Sequence, residues 1–197
     1  IVLFSLAFTQ QNNFFKINSA FYARKQTLAD VFFWLRKHTG KDSVILTDPY
    51  NFLINKDFPE PADILVYTHN FSFLPVSIGT IRSKEEVEDR LLMGLAVFGY
   101  NSKEATEFIE YANGIHFLQM RAVVDYGNEK IDKGYAVALK DKFIFLNTGK
   151  GLLAKLGKYH LDYVIAKKRQ VEQRGLLKNF PGGSVVFDNG EFIILKI

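Results

Sequence analysis

Two stretches of this 197-residue chain follow the same design, which is a helix, a Gly-Lys turn and a short buried strand. The first stretch covers 24–47 and contains Gly40-Lys41, and the second covers 152–166 and contains Gly157-Lys158. Apolar residues of the first helix follow the i, i+3, i+4, i+7 spacing of one buried stripe: Leu28, Val31, Phe32 and Leu35. Repeated helix–strand units of this kind predict a sheet with parallel central strands and flanking helices.

The end of the chain predicts an antiparallel hairpin. Residues 184–187 and 191–197 are rich in β-branched and aromatic side chains, and Asp188-Asn189-Gly190 lies between them. Asn-Gly in a two-residue turn favours type I′, in which both turn residues have positive φ. The predicted fold class is therefore α/β, with a small mixed sheet, parallel central strands, flanking helices and a C-terminal antiparallel hairpin. We expect residues 14–197 to form one such domain.

Capping patterns and apolar runs predict further elements between these units. Ser83 with Glu86, and Asn101 with Glu104, have the spacing of helix N-caps, so helices are expected to run to about residue 98 and to about residue 114. Ile64-Leu65-Val66-Tyr67 is a candidate strand, because it is a short apolar run after a proline-containing loop. The remaining predictions are a hairpin from 135–139 with 142–146, and a short helix around 171–178.

Charge is unevenly distributed along the chain. Lys and Arg number 25 against 21 Asp and Glu, but the last third is basic whereas 83–110 is acidic. The acidic set within 83–110 is predicted to form a solvated helix face: Glu85, Glu86, Glu88 and Asp89. A basic face suits the phosphates of an anionic membrane surface. Nucleic acid is disfavoured, because no RNP-like, helix-turn-helix or zinc-finger pattern is present.

No motif commits the sequence to one reaction. The chain has no cysteine, which excludes disulfides, thiol nucleophiles and cysteine-ligated metals. Its four histidines show no two-ligand spacing, and Thr148-Gly149-Lys150-Gly151 lacks the rest of a P-loop. Neither a nucleophile elbow nor a dinucleotide fingerprint follows a predicted strand. We therefore predict no catalytic residue, no cofactor and no metal site in this chain.

Polar side chains stand at the ends of the predicted strands, where ligands usually bind in open α/β sheets. Asp48 and Tyr50 follow the first strand, while Tyr67 ends the second and His69 follows it. The cations after the later strand are Lys167, Lys168 and Arg169. A carboxylate, aromatic rings and cations suit a sugar or a phosphate, so these residues form the candidate ligand-binding set. The other interpretation is structural, with each side chain satisfying a local hydrogen bond.

The chain opens with a mainly apolar run, 1–9, followed by a polar stretch, 10–13. This run is too short to cross a bilayer, which takes about 20 residues. It also lacks the basic start and the cleavage pattern of a signal peptide. Residues 1–13 are therefore either an N-terminal strand or the last turns of a transmembrane helix.

The most distinctive strings lie at the two ends of the domain. Trp34–Thr39 and Lys41–Asp48 give a helix end, a turn and a strand. The closing strings are Leu161–Ile165, Leu176-Leu177, Val185–Gly190 and Ile193–Ile197. Together these strings resemble the soluble C-terminal domain that follows the last transmembrane helix in polytopic GT-C-type membrane glycosyltransferases. The middle of the chain fits that family loosely and departs from it over 125–147.

The resemblance implies a domain on the extracytoplasmic side of a membrane, anchored by a preceding membrane-embedded part of the same chain. In that family the catalytic acidic residue lies in loops of the membrane portion, so no catalytic residue carries over to this sequence. The implied role is non-catalytic and consists of engaging an acceptor or a lipid-linked donor. The implied partners are the membrane-embedded part, a lipid-linked sugar and anionic headgroups. The resemblance also favours the transmembrane interpretation of residues 1–13.

The residues leave two alternatives open. One is a free-standing soluble α/β domain that binds a small sugar or phosphorylated ligand at the strand ends. The other is a plain protein-interaction module that uses the acidic helix and the basic face. A multi-span parent protein predicts several apolar segments of about 20 residues, which neither alternative requires.

Overall fold

The computed structural model describes residues 26–50, 58–74, 83–110, 133–147, 150–180 and 182–197. The opening residues 1–13 and the predicted helix end near residue 114 lie outside these ranges. Within them the chain has a mixed α/β fold, which confirms the predicted class. No helix of the described ranges combines the length and the hydropathy that a bilayer crossing needs.

One mixed sheet organises the described residues. Its strands are β1 (Val44–Thr47), β2 (Phe71–Ser72), β3 (Tyr163–Lys167), β4 (Ser184–Asp188) and β5 (Phe192–Lys196). The five strands lie in the order β2-β1-β3-β5-β4. β1 is parallel to β2 and to β3, with Ile45 opposite Tyr163 and Thr47 opposite Ile165, and β5 is antiparallel to β3 and β4. The parallel centre and the terminal hairpin are as the sequence predicts.

Helices surround this sheet. In the described ranges they are α1 (Gln26–His38), α2 (Pro61–Tyr67), α3 (Lys84–Val97), α4 (Ser102–Glu110), α5 (Lys133–Leu146), α6 (Lys150–Lys158), α7 (Lys168–Arg174) and a 3-10 helix (Leu176–Asn179). The predicted caps form, because the Ser83 hydroxyl accepts the N–H of Glu86 at 3.2 Å and the Asn101 carboxamide accepts the N–H of Glu104 at 3.0 Å. These bonds satisfy N–H groups that would otherwise lack a partner at a helix start.

Both faces of the sheet are buried, because successive side chains of its central strands alternate between two apolar layers. Ile45 and Ile165 belong to the layer that includes the stripe of α1. Leu46 and Val164 belong to the larger layer that includes residues of α3, α4, α5 and α6. The stripe residues of α1 are all buried, as predicted: Leu28, Val31, Phe32 and Leu35. The sheet is therefore the middle of three layers, with the heavier helical layer on one side.

The prediction of a strand at Ile64–Tyr67 is wrong, since this run lies in α2. Pro61 occupies the first helical turn, where its missing N–H costs nothing. The carboxylate of Asp63 accepts the N–H of Glu60 at 2.7 Å and so caps the helix start. The strand that pairs with β1 begins four residues after α2, at Phe71. A local cap and a proline thus override the strand preference of the apolar run.

The predicted hairpin over 135–146 is also wrong, because these residues form α5. Leu139, Phe143 and Leu146 recur at helical spacing and are buried. The outward positions carry Val137, Ile144 and Phe145, which are exposed. Apolar side chains on both sides of a helix hide its period and increase the resemblance to a strand.

The turn of the terminal hairpin differs from the predicted type I′. Gly190 has a φ of 89°, but Asn189 does not have positive φ, and a type I′ turn requires it at both residues. The Asn189 side chain instead accepts the N–H groups of Glu191 and Phe192 at 3.2 and 2.9 Å. The loop is therefore longer than a two-residue turn, and its register is held by a side chain.

Candidate functional site

The parallel strands β1 and β3 end at one edge of the sheet, here called the carboxyl edge, and begin at the other, the amino edge. Asp48 and Tyr50 follow β1, and Lys168 follows β3, so these predicted residues share the carboxyl edge. Tyr67 and His69 precede β2, which is parallel to β1, and therefore lie towards the amino edge. The structure thus divides the predicted ligand-binding set between two opposite edges.

Asp48 is the centre of a buried hydrogen-bond network at the carboxyl edge. Its side chain is fully buried, and one carboxylate oxygen accepts the N–H of Tyr50 at 2.8 Å. The Tyr100 hydroxyl donates to the other carboxylate oxygen, Oδ2, at 2.8 Å, and the Gln170 carboxamide also donates to Oδ2. A buried carboxylate needs such donors, and this network therefore allows Asp48 to be buried directly after β1.

Tyr100 connects Asp48 to an ion pair. Burial raises the pKa of Tyr100 well above its ordinary value, and the adjacent charge of Asp48 raises it further. The guanidinium of Arg174 lies 4.3 Å from the centre of the Tyr100 ring and donates to Glu104 at 2.7 and 3.0 Å. The hydrogen bond from Arg174 holds the pKa of Glu104 below its ordinary value. Tyr100 therefore stays a neutral donor, and the network ties α4 and α7 to the end of β1.

Tyr100 and Gln170 were not among the predicted site residues. Gly99 has a φ of 70° directly after α3, so the chain reverses there and carries Tyr100 to the end of β1. Gly-Tyr after an apolar helix was the available signal for Tyr100. Gln170 is the third residue of α7, and its side chain also accepts the N–H of Lys167, the residue before the helix, at 3.2 Å.

The cations after β3 are largely neutralised within the fold. The Lys168 ammonium lies 2.7 Å from a carboxylate oxygen of Asp188, and the Lys167 ammonium lies 4.0 Å from Glu191. Arg169 is exposed and makes no ion pair among the described residues. Of the predicted cationic set, Arg169 is therefore the side chain that remains open to an anion from outside.

The start of α1 lies at the same carboxyl edge. The Thr27 hydroxyl donates to the Glu191 carboxylate at 2.7 Å, and the Asn189 carboxamide donates to the Thr27 carbonyl at 2.6 Å. Asn189 and Glu191 belong to the hairpin loop, where Glu191 also pairs with Lys167 and the preceding Asp188 pairs with Lys168. The first turn of α1 is therefore at the edge that carries Arg169.

A second charged cluster lies between α3, α5 and α6. The fully buried carboxylate of Asp89 lies 2.8 Å from the Lys142 ammonium and 2.6 Å from the Lys155 ammonium. Asp89 also accepts the Tyr159 hydroxyl at 3.0 Å, and Glu88 accepts the Lys142 ammonium at 3.2 Å. The prediction of a solvated acidic face is therefore wrong for Glu88 and Asp89, although Glu85 of the same helix is exposed.

The ionised forms of this second cluster stabilise one another. Burial raises the pKa of Asp89, but the contacts with Lys142 and Lys155 outweigh it, so the net pKa is lowered. Burial lowers the pKa of Lys142, but the contacts with Asp89 and Glu88 outweigh it, so the net pKa is raised. Burial and the Asp89 carboxylate raise the pKa of Tyr159 to about 12. The contact between Asp89 and Lys142 thus favours the ionised forms of both groups, and the cluster joins three helices.

Tyr67 and His69 have structural contacts near the amino edge. The Tyr67 ring packs 5.2 Å from Phe32, centre to centre, and a His69 ring nitrogen lies 3.1 Å from the Thr39 carbonyl. Asn70 is buried and donates to the Thr39 hydroxyl at 2.9 Å. The hydrogen bonds join the turn after α1 to the turn after α2. Tyr67 and His69 thus fit the alternative in which the predicted site residues make structural contacts.

Within the described residues, no group of three or more His, Asp or Glu side chains is arranged to hold a metal ion. Comparison of the chain with protein-family models, with curated proteins and with solved structures finds no match. The functional argument therefore depends on the residues and their geometry.

Proposed function

We propose that the chain is a non-catalytic, extracytoplasmic domain of a multi-span membrane protein that resembles GT-C glycosyltransferases. Its role is to engage an acceptor or a lipid-linked donor beside the membrane-embedded part of the same protein. The observation that carries the proposal is the position of the α1 start, which lies at the carboxyl edge, the edge that also carries the exposed Arg169. The alternatives, a free-standing ligand-binding domain and an interaction module, do not require this arrangement.

The strings that carry the family resemblance support the proposal, because they are neighbours in space. They contribute β1, β3, β4 and β5, which are adjacent in the sheet although more than a hundred residues separate β1 from β3. The helix end at Trp34 belongs to the same block, since its ring lies 5.8 Å from Phe187 of β4. The two ends of the sequence thus form one continuous part of the fold.

Chain length supports a membrane-proximal carboxyl edge. Residues 10–25 separate the opening apolar run, 1–9, from α1. A stretch of this length spans at most about 55 Å when fully extended. If residues 1–9 are the end of a transmembrane helix, the carboxyl edge lies within that distance of the bilayer. Arg169 is then placed to meet a headgroup phosphate or the phosphate of a lipid-linked donor.

The contacts of the buried carboxylates support a non-catalytic role. Asp48 accepts hydrogen bonds from Tyr50, Tyr100 and Gln170, and Asp89 lies between two lysines. A general base needs a free lone pair within reach of a substrate proton. These carboxylates instead hold strands and helices together, and the reaction belongs to another part of the parent protein.

These 197 residues contain no cysteine, so they add no background to single-cysteine labelling of a parent protein whose other cysteines are replaced by serine. Arg169→Cys reports on the carboxyl edge, and the matched control Lys41→Cys reports on the exposed turn between α1 and β1 at the amino edge. Both variants are made in the full-length protein in its native membrane. We expect a membrane-impermeant maleimide to label both sites from the extracytoplasmic side. A fluorophore at position 169 should be quenched by lipid-bound quenchers more strongly than one at position 41.

Labelling of both sites only after the membrane is permeabilised would refute the extracytoplasmic location. Equal or reversed lipid quenching at the two sites would refute the membrane-proximal carboxyl edge. A parent reading frame without several apolar spans of about 20 residues would refute the proposal as a whole.

A further inference from the structure

The amino edge carries exposed cations that no charge within the described fold neutralises. Arg36 and Lys37 lie in the last turn of α1, Lys41 lies in the following turn, and Lys196 ends β5. Lys196 is opposite Tyr163, the first residue of β3, so it shares this edge with the start of β3. We call Arg36, Lys37, Lys41 and Lys196 the amino-edge cations.

The amino-edge cations lie together and lack carboxylate partners. Among the described residues, none of them has a carboxylate oxygen within ion-pair distance. Lys140, Arg169 and Lys178 are also exposed without such a partner, but they lie on three separate elements, α5, α7 and the 3-10 helix. The largest described group of exposed cations without a carboxylate partner is therefore at the amino edge, opposite to the edge that the sequence suggested.

Carboxylates near the amino edge do not cancel this charge. One oxygen of Asp162 accepts the N–H of Val44 at 2.7 Å, and the other lies 3.0 Å from a ring nitrogen of His160. Asp42 is exposed in the same turn as Lys41. His69 also lies in this region, through its contact with Thr39. The edge consequently presents an excess of positive charge to an anionic partner.

Aromatic rings with unsatisfied donors lie beside the amino-edge cations. The half-buried Trp34 ring lies 6.3 Å from the Tyr163 ring and stacks at 5.0 Å on His38. Within the described residues, neither the indole N–H of Trp34 nor the Tyr163 hydroxyl has a hydrogen-bond partner. Aromatic rings with outward donors are typical of sites for sugars, since each side chain offers an apolar face and a polar tip.

We propose that the amino edge binds an acidic sugar polymer, in which carboxylate or phosphate groups recur along the chain. The amino-edge cations contact the charges, while Trp34 and Tyr163 contact sugar rings. The identification of this polymer as the acceptor in glycosyl transfer rests on the proposed function. In that function the carboxyl edge lies beside the membrane, so the amino edge faces away from it. The binding itself does not depend on that function, so the two ideas fail in different experiments.

The test uses the complete 197-residue chain and fluorescence anisotropy at low ionic strength. The labelled probes are polygalacturonate, which carries carboxylates, phosphomannan, which carries phosphates, neutral dextran and duplex DNA. The test variant is Arg36→Gln/Lys37→Gln/Lys41→Gln/Lys196→Gln. The matched control removes four positive charges from exposed positions elsewhere: Lys103→Gln/Lys140→Gln/Lys158→Gln/Lys178→Gln.

We expect the wild-type chain to bind at least one acidic sugar polymer and not neutral dextran, with affinity that falls as salt rises. The test variant should bind about 30-fold more weakly and the control less than about threefold, since each exposed charge contact contributes a small factor. Tyr163→Phe, which keeps the ring and removes the hydroxyl, should weaken binding by about threefold. The probe that binds more tightly, polygalacturonate or phosphomannan, shows whether the edge prefers carboxylates or phosphates.

Equal losses in the test variant and the control would overturn the proposal, because binding would then follow net charge and not the amino edge. The absence of binding to both acidic sugar polymers would overturn it as well. Tighter binding to duplex DNA than to either sugar polymer would refute the sugar component. Circular dichroism of each variant, with a wild-type spectrum required, excludes misfolding as the cause of a loss.

Discussion

Replacing Asp89 by Asn tests whether the buried cluster of α3, α5 and α6 depends on its negative charge. The substitution keeps the size of the side chain, so it leaves no cavity and removes one charge from between two ammonium groups. The side chains of Lys142 and Lys155 are each 28% exposed and lie 2.8 and 2.6 Å from Asp89. The variant therefore leaves partly buried cations facing each other.

The expected loss of unfolding free energy is about 3 kcal/mol. Removing one partner of a buried ion pair costs about 3–5 kcal/mol. The lower end applies here, because both ammonium groups reach solvent and Lys142 keeps a contact of 3.2 Å with Glu88. For a chain of this length, that loss corresponds to a fall in Tm of roughly 6–12 °C.

The assay is urea unfolding followed by circular dichroism and by the fluorescence of Trp34. The chain has one tryptophan, and Trp34 lies in the α1 layer, so coincident transitions would show that both faces of the sheet unfold together. The matched control is Glu85→Gln on the same helix. Glu85 is 68% exposed and 3.9 Å from Lys158, so its loss should cost less than about 0.5 kcal/mol.

A loss below about 1 kcal/mol in Asp89→Asn, or a loss equal to that of the control, would refute this reasoning. Asp89→Leu combined with Glu88→Gln, Lys142→Met, Lys155→Met and Tyr159→Phe separates charge from position. Neutral replacement of the whole group is expected to return stability to within about 1 kcal/mol of the wild type, since none of its buried charges remains. Failure of this rescue would mean that the polar geometry itself holds α5 and α6.

Two further predictions concern pH and the Asp48 network. The pKa of Asp89 is lowered in the fold, so its contribution is present above the unfolded value of about 3.9 and is lost as the pH falls through the folded pKa. In urea titrations, the difference in unfolding free energy between wild type and Asp89→Asn should therefore stay constant from about pH 6 to 8. It should shrink below about pH 4, and a difference that already shrinks near neutrality would contradict this. Tyr100→Phe removes a hydroxyl that donates to Asp48 at 2.8 Å and should lower the free energy of unfolding by about 1–3 kcal/mol in the same assay. Tyr163→Phe removes a hydroxyl that has no partner among the described residues and should cost less than about 0.5 kcal/mol.

Elements with one apolar face were predictable from the sequence, and elements with two were not. α1 has a clear stripe, and its predicted buried residues are the observed ones. α5 exposes Val137 and Ile144 while burying Leu139 and Phe143, so its local pattern contains apolar residues on every side. The choice of helix is made there by contacts with α3 and α4, which no local window contains.

The shared edge of Asp48 and Lys168 was predictable, because parallel strands end at the same edge of a sheet. The partners of Asp48 were not predictable in the same way. Tyr100 lies 52 residues and Gln170 lies 122 residues along the chain from Asp48. The wrong assignment of 64–67 as a strand also moved His69 to the wrong edge, although Glu60, Pro61 and Asp63 already carried a helix start signal.

Charge shows most clearly how folding changes the interpretation of a sequence. The basic last third and the acidic region 83–110 look like two surfaces, but Lys155 pairs with Asp89 and Arg174 pairs with Glu104. Each such pair removes a cation from the surface that the sequence predicted. Four of the exposed cations that have no carboxylate partner among the described residues come together at the amino edge: Arg36, Lys37, Lys41 and Lys196. A search for the anionic partner should consequently begin at the amino edge, while the membrane-proximal role is tested at Arg169.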